Sequence, residues 1–539
     1  MLDVNLSALS DRAWSLVEMN RMVEARSLFK QICEIDESDP ESWMMLGSLH
    51  AELSEDEEAI SCLNKALDHD PAYPDAHYNL AKVLVKQRHL PDAQNHCQIA
   101  LNNDSAYAAA WQLMGAIQET FGNFVESERC SRKAIELAPD NAISHANLAL
   151  SLWKQDKLEE SVQSFQRSLD LNSQQADVWL QLAVVYTRLH LYVDAERCCE
   201  KVILIDPEAW EAYELLGNIL SAQGRVTEKI DICRKALRIK STNVGILLQL
   251  GNALYINNQR DAAENAFREV IRLDPENAKA YFGLGVVFNA KGLKKEEIEN
   301  IQHALSLEPE NEQYQYYLAC VTGVDAPTMA PASHVRDLFD TCAENFDSHL
   351  IGRLSYLGPE KVHEAAMGFL DTTAGKDLDI LDLGCGTGLC APLFRPLARS
   401  LSGIDLSGKM IDIARKRNLY DQLIIGDISA VLEGVNDRHD IVIATDVFVY
   451  IGDLKRVFEL CSVALKSSGL FVFTVEAAKN ETVDFVLETS GRYSHSRQYL
   501  TALAMSVGLE VASLQNSVLR MESGNPINSY VVVMRQSRK

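Results

Sequence analysis

Read only for apolar and polar positions, the first three fifths of the chain repeats itself. Apolar anchors stand at Leu46, Leu80, Met114, Leu148, Leu182, Leu216, Leu250, Leu284 and Leu318, each 34 residues after the one before. Self-similarity at such a period signals stacked supersecondary units, because no single unit can bury its own apolar face. The residue after each anchor is small: Gly47, Ala81, Gly115, Ala149, Ala183, Gly217, Gly251, Gly285 and Ala319. That predicts a close helix crossing, which bulk would force apart. A second small position follows twelve residues later, at Ala59, Ala93, Ala195 and Ala263, and a third seven beyond it, at Ala66, Ala100, Ala134, Ala236 and Ala304.

The unit closes at Pro71, Pro139, Pro207, Pro275 and Pro309, where proline cannot prolong one helix but fits the first turn of the next. Each unit reads as helix, turn, helix, stop. These features resemble the tetratricopeptide repeat (TPR), over residues 6 to 322 as about nine units and a final helix. The resemblance implies an α-solenoid, a TPR superhelix whose first helices line a concave groove suited to a protein partner or extended peptide. Asn79, Asn147, Gln181 and Gln249 precede anchors, and Asn218 and Asn252 follow them. This is similar to the asparagine ladder of repeat arrays fused to O-linked N-acetylglucosamine transferases, interrupted here by Met45, Leu113, Leu215 and Gly283. Asn79 and Asn147 are the candidate peptide contacts; capping a turn or facing water is the alternative for each. Lys229 and Glu297 break the small-residue pattern, and Cys97, Cys199 and Cys233 replace its usual aromatic, which predicts locally looser units.

After Leu318 the register ends. Gly323, Pro327 and Pro331 crowd the stretch CVTGVDAPTMAPASH, which places a linker at 323–334 between a domain at 1–322 and one at 335–539. Two helical segments split by Gly358 and Pro359 come next. The runs DILDL, SLSGIDL, QLIIGD, DIVIATDV, GLFVFTVE, LEVASLQ and SYVVVMR then alternate with helical patterns, predicting a parallel sheet covered on both faces. Only a short turn through Gly524, Asn525 and Pro526 separates the last two runs. One strand must therefore be reversed in a mostly parallel seven-stranded sheet.

The first strand enters Leu381-Asp382-Leu383-Gly384-Cys385-Gly386-Thr387-Gly388, and a helix start follows. Strand, glycine turn and helix form a nucleotide-cofactor fingerprint, because glycines let backbone N–H groups approach a ligand closely. Leu389 follows Gly388, so the third glycine comes one position too early for the dinucleotide pattern. Asp382 would repel phosphates yet suits an amino group or a sulfonium. Asp405 ends the second strand, 21 residues after Gly384, where a carboxylate can accept both ribose hydroxyls, and Asp427 ends the third.

This set resembles the class I S-adenosylmethionine (SAM)-dependent methyltransferases over roughly residues 335 to 539. The resemblance implies a Rossmann-like α/β fold with SAM as cofactor. It carries Asp382, Gly384, Cys385, Gly386 and Gly388 to the methionine part, Asp405 to the ribose, Leu406 to the face of the base, Asp427 to the adenine amine and Ile428 to an adjacent backbone N–H. More narrowly, RDLFDTCAENFDSHL, DVFVYIGDL and GRYSHSRQYL are similar to bacterial methyltransferases fused to tetratricopeptide repeats, related to the trans-aconitate and small-acid enzymes.

A ligand of an open parallel sheet lies beyond the carboxyl ends of its strands, which brings Thr445, Asp446, Tyr450, Glu476, Tyr493 and His495 toward the methyl acceptor. His495 is the candidate base for a hydroxyl or amine, with Asp446 or Glu476 orienting it or acting alone and Tyr450 beside them. Its place between Ser494 and Ser496 at a helix start also suits a capping or exposed role. Arg492 and Arg497, flanking Tyr493, have planar forks that match a carboxylate, so a small carboxylic acid is one candidate acceptor; a surface salt bridge is the commoner fate of such arginines.

Composition trims the alternatives. With 539 residues, 47% of them hydrophobic, the chain can bury large cores. Its 76 acidic and 51 basic residues, a net charge of −25, argue against sequence-independent binding to nucleic acid or to an anionic membrane. No apolar run reaches spanning length and the first residues lack a signal pattern, so a cytoplasmic home is expected. The twelve cysteines fall mostly inside helical patterns, where a thiol packs as a small hydrophobe. Metal-ligand spacing, a nucleophile elbow and a phosphate-cradling loop are missing. So is an asparagine-proline-proline-aromatic run after the fourth strand, which disfavours methylation of nucleic-acid bases. The reading is a SAM-dependent methyltransferase acting on oxygen or nitrogen, with the TPR array binding a protein substrate or partner. The alternative is a non-catalytic adaptor that binds SAM or its demethylated product without turnover; nicotinamide-dependent oxidoreduction is disfavoured by the loop spacing and Asp382.

Overall fold

A computed structural model of the chain describes residues 6–343, 346–354, 356–370, 377–522 and 525–536. They divide into two compact units, one up to Ile246 and one from Leu247 onward. Gly524 of the expected final turn, and Glu344 and Asn345 of the motif ahead of the first strand, lie outside the described residues.

In the first unit, helices of 13 and 14 residues alternate, as in Pro40–Glu52 with Asp56–His69 and Pro74–Lys86 with Leu90–Asn103. Local chemistry sets their starts: Pro40 sits in a first turn, and Asp39 accepts from the backbone N–H groups of Glu41 and Ser42. The small positions are where helices touch. A Cβ added to Gly47 would lie 2.7 Å from Leu63 Cγ, and Ala59, Ala66, Ala93 and Ala100 are fully buried. Where the second-helix alanine gives way to serine, the hydroxyl donates to the carbonyl of the facing small residue, Ser127 to Gly115 at 2.9 Å and Ser161 to Ala149 at 2.7 Å. The crossing accepts serine because its donor finds a buried acceptor. Cys97, Cys199, Cys233 and Lys229 are all buried, and desolvation lowers the Lys229 pKa.

The repeat pattern continues in the second unit through Arg260–Leu273, Ala278–Lys291, Lys294–Leu307 and Glu312–Thr322. Phe267 is clasped there between two glycines, since a Cβ on Gly251 or Gly283 would come within 2.7 or 2.6 Å of its ring. Glu297, at a small-residue position, is buried and accepts from Asn289 Nδ2 at 2.7 Å. Helices Ala332–Cys342, Phe346–Leu354 and Gly358–Met367 then lead into the sheet.

Strands β1 (Leu378–Leu383), β2 (Ala398–Asp405), β3 (Gln422–Ile425), β4 (His439–Ala444) and β5 (Leu465–Ala477) pair in parallel in the order β3-β2-β1-β4-β5. Two hairpins complete the sheet, β6 (Phe485–Leu487) with β7 (Tyr493–His495) and β8 (Leu509–Glu522) with β9 (Asn525–Gln536). β9 lies antiparallel beside β5 as the reversed strand, and β7 extends the end of β5 in parallel, Glu476 opposite Ser494. Among the described residues the sheet has nine strands rather than seven, because strands of three residues are too short for a period-two pattern to show. Successive residues of the central strands enter opposite cores: Ile441, Ile443 and Val472 one, Val442, Ala444, Phe471 and Phe473 the other. Both faces are thus covered, as a mainly parallel sheet requires. Among the described residues no helix is long and apolar enough to cross a membrane.

Candidate functional site

The carboxyl ends of β1, β2 and β4 open into a cavity of about 200 Å³ within the second unit. The glycine turn forms its floor, with φ of 63° at Gly384 and 54° at Gly386. A Cβ on Gly384 would strike Val447, whereas one on Gly386 would meet nothing within 4 Å. Packing and backbone conformation both demand glycine at the first; the second leaves open space for a ligand to approach the backbone.

Three carboxylates surround this turn, and the donors that hold them are uncharged. Asp382 is buried and accepts from the Tyr420 hydroxyl at 2.6 Å; burial pushes its carboxyl up to about 7. Asp405 accepts from the N–H groups of Gly386 and Ser407, both at 2.8 Å, and burial raises its pKa in spite of them. Asp427 caps the helix Ile428–Leu432, accepting from the Ala430 N–H at 3.1 Å. All three line the cavity, as do Gly384, Cys385, Gly386, Leu389, Leu406 and Ile428, whereas Gly388 is not part of its wall: a Cβ there would lie 3.0 Å from the Tyr420 ring, so that glycine serves the packing of the turn. Neutral donors leave the negative potential of the acids in place, which favours a cationic ligand. The thiols of Cys385 and Cys390 are buried and pushed well above their usual range, as suits packing rather than nucleophilic use.

Val335, Phe339, Phe346 and Leu350, from two of the helices that precede the sheet, give the cavity an apolar roof. Ser407 Oγ donates to Asp340 and Thr387 Oγ1 to Asp347, each at 2.5 Å, and Arg417 pairs with Asp347. These bonds fasten the roof to the ends of β1 and β2.

At the other end Thr445, Asp446, Tyr450 and Arg492 reach the cavity, together with Arg520, which no sequence motif marked. Arg520 is 1% exposed. Its Nη1 donates to both Asp446 oxygens at 2.6 and 2.8 Å, its Nε to Glu522 at 3.0 Å and its Nη2 to Glu476. Arg492 pairs with Glu522 in turn. Asp446 has a φ of 61°, a sparsely used conformation for a non-glycine residue of the kind that gathers at functional sites. Of its partners only Glu522 is near in sequence, two residues on along the same strand; Glu476 and Asp446 are 44 and 74 residues away.

Glu476, Tyr493, His495 and Arg497 are not part of the cavity wall. His495 is fully buried, its Nε2–H directed at the carbonyls of Ile451 and Gly452, 3.0 Å from each, and burial lowers its pKa to about 4. The expected general base is therefore a structural donor, and Ser496 is the residue that caps the next helix, accepting from the Tyr499 N–H at 3.1 Å. Glu476 is held by Arg520, with burial raising its pKa. The Tyr493 hydroxyl donates to the Pro327 carbonyl at 2.6 Å. Arg497 donates to the Leu514 carbonyl and Asn516 at 3.3 and 3.1 Å and lies over the Tyr530 ring. With Arg492 already paired, neither arginine is an open fork for a substrate carboxylate. Away from the cavity, Asn79 is half-buried and donates to the Met44 sulfur at 3.4 Å, and Asn147 is half-buried on the helix Ala142–Lys154. Among the described residues no group of three or more His, Cys, Asp or Glu side chains is placed to hold a metal.

Known proteins share both parts of this architecture. A family model described as a methyltransferase domain matches residues 381–473, and models of the TPR repeat match 47–87, 120–176, 180–244 and 248–318. The chain joins TPR repeats to a methyltransferase domain. Human protein O-mannosyl-transferase TMTC1 is 25% identical over 210 residues, 38% of this chain and 24% of that protein. Protein NPGR2 of Arabidopsis thaliana is 27% identical over 241 residues, 42% of this chain and 30% of that one. The chain thus spans less than a third of either relative. Among solved structures, YrrB, described as a TPR protein with an unusual peptide-binding site, is 23% identical with a TM-score of 0.32, covering 34% of this chain and 96% of its own.

Proposed function

We propose that the protein is a SAM-dependent methyltransferase acting on an oxygen or nitrogen nucleophile, and that its repeats, residues 1–322, hold a protein substrate or partner for the domain at 335–539. The observation that supports this most is the acidic end of the cavity, where uncompensated carboxylates ring an open glycine turn. The residues present fit the cofactor: Gly386 leaves room beside the backbone, and the acids offer acceptors for an amino group, a ribose diol and an adenine amine. Asp382, Gly384, Cys385 and Gly386 would hold the methionine part, Asp405 the ribose, and Leu406, Asp427 and Ile428 the adenine. When bound, SAM supplies a methyl group already made electrophilic by its sulfonium.

The chain's own residues need then only align the acceptor and receive its proton. Arg520 fixes the Asp446 carboxylate. Asp446 can accept a hydrogen bond from the acceptor's O–H or N–H, aim its lone pair and take the proton as the new bond forms. Tyr450 and the apolar roof narrow the approach and keep water out. The charge balance here, Asp446, Glu476 and Glu522 against Arg492 and Arg520, speaks for a neutral or basic acceptor over a small acid.

Titration calorimetry of the full chain should show heat with SAM and with its demethylated product. Incubation with radiolabelled-methyl SAM in a cell extract, followed by separation of labelled proteins from labelled small molecules, then identifies the acceptor class. Binding without transfer to either fraction would favour the adaptor, and absence of heat would remove the cofactor assignment.

A further inference from the structure

We infer that Tyr316, on the last repeat helix Glu312–Thr322, is a positioning residue for the acceptor end of the cavity, acting through the hairpin that carries Arg492. The inference rests on the methyltransferase reading above for what the cavity binds, but its geometry stands apart from that reading. Arg492 is flanked by two residues that are both gripped from outside the sheet. The Tyr316 hydroxyl donates to the carbonyl of Gly491, and the Tyr493 hydroxyl donates to the carbonyl of Pro327. Tyr316 is 1% exposed, its ring packed in an apolar cluster with Ala330, Leu487 and Tyr493.

The segment after that helix clamps the neighbouring loop as well. The Thr328 carbonyl accepts from the N–H groups of Gly452 and Asp453 at 2.8 and 2.9 Å, and the Ala330 N–H donates to the Tyr450 carbonyl at 2.9 Å. Met329 and Ala330 thereby become part of the cavity wall beside Tyr450 and Arg492. The β6–β7 hairpin has strands of only three residues, and so short a pair has little stability of its own. Its position is therefore set by what holds it: the end of β5, the His495 bonds to Ile451 and Gly452, and the Tyr316 and Tyr493 hydroxyls, of which Tyr316 is a repeat residue.

The test uses the full chain. In Tyr316→Phe, which keeps the ring and loses the hydroxyl, amide hydrogen exchange across Glu488–Ser494 should speed up about three- to tenfold, the range expected for one lost hydrogen bond. Affinity for the demethylated cofactor product should stay within about twofold of the parent, since the glycine turn is untouched. With the labelled acceptor fraction as substrate, apparent KM should rise several-fold while kcat holds, and Tyr316→Phe should add nothing in an Arg492→Ala background. Tyr493→Phe should speed the same exchange if Tyr316→Phe fails to fold, and Tyr317→Phe should leave it alone. Unchanged exchange in a folded Tyr316→Phe, unchanged exchange in Tyr493→Phe where Tyr316→Phe does not fold, or additive effects of Tyr316→Phe and Arg492→Ala, would overturn the inference. A parent protein that binds no product would instead remove the methyltransferase reading, and the exchange measurement would still decide whether Tyr316 holds the hairpin.

Discussion

The two ends of the cavity use carboxylates in opposite ways. Asp382, Asp405 and Asp427 are held by a phenol and by backbone N–H groups, while Asp446, Glu476 and Glu522 are bound by two guanidiniums. Neutral donors fix a carboxylate without cancelling its field, so the first end attracts positive charge. Two guanidiniums offset most of the charge of three carboxylates and fix their geometry, so the second end is a rigid wall that keeps Asp446 in place for the acceptor. What a carboxylate does is decided by its partners, not by its kind.

The contrast is broken hardest at Arg520. Its replacement by alanine leaves Asp446 without its guanidinium and Glu476 with only Arg492, 3.8 Å away, in a largely buried setting, and should destabilise the second unit by roughly 3–5 kcal/mol, seen as a lowered thermal midpoint. A midpoint at the parent value would mean the network does not carry the wall. Asp405→Ala removes a charged acceptor from the other end and should weaken SAM affinity by about 1.5–3 kcal/mol, some ten- to a hundredfold by calorimetry, with the helical circular dichroism of the repeats retained. Undiminished affinity would refute the ribose assignment.

Two pH experiments sharpen the comparison further. His495 is a base whose pKa in the fold lies near 4, below its unfolded value, so it contributes stability above about pH 6.5 that is lost as pH falls toward 4. His495→Phe should cost about 1–3 kcal/mol at neutral pH for the lost donor and should flatten that acid limb of stability, without a change in cofactor affinity. Asp382 is an acid whose pKa in the fold is raised to about 7, so its effect on stability has the opposite sign, a decline as pH rises from about 4 to 7 and none beyond. A cation needs its ionised form. Cofactor affinity should therefore fall by up to about tenfold per pH unit below 7, and Asp382→Asn should abolish that slope; a slope that survives assigns the titration to another group.

The repeats were legible residue by residue because a helix crossing stamps a small side chain into the chain every 34 positions, and the contacts at Gly47, Ser127 and Phe267 follow from that stamp. The glycine turn was equally legible, since strand ends deliver Asp382, Asp405 and Asp427 to the same edge by topology alone. The roles of His495 and Arg520 were not. His495 stands between serines at a helix start, yet β7, too short to leave a pattern, carries its ring under the chain at Ile451 and Gly452. Arg520 meets partners 74 and 44 residues away, and ion pairs formed at such separation leave no local periodicity.

The grip of the final repeat helix on the β6–β7 hairpin also decides where the array is free to change in number over evolutionary time. Modules of a solenoid touch only their neighbours, so copies can be gained or lost toward the leading end without disturbing chemistry at the far one. Removal of Glu312–Thr322 would strip the hairpin of a tether. Lineages descended from this arrangement should therefore vary in the count of their early modules while keeping the last one.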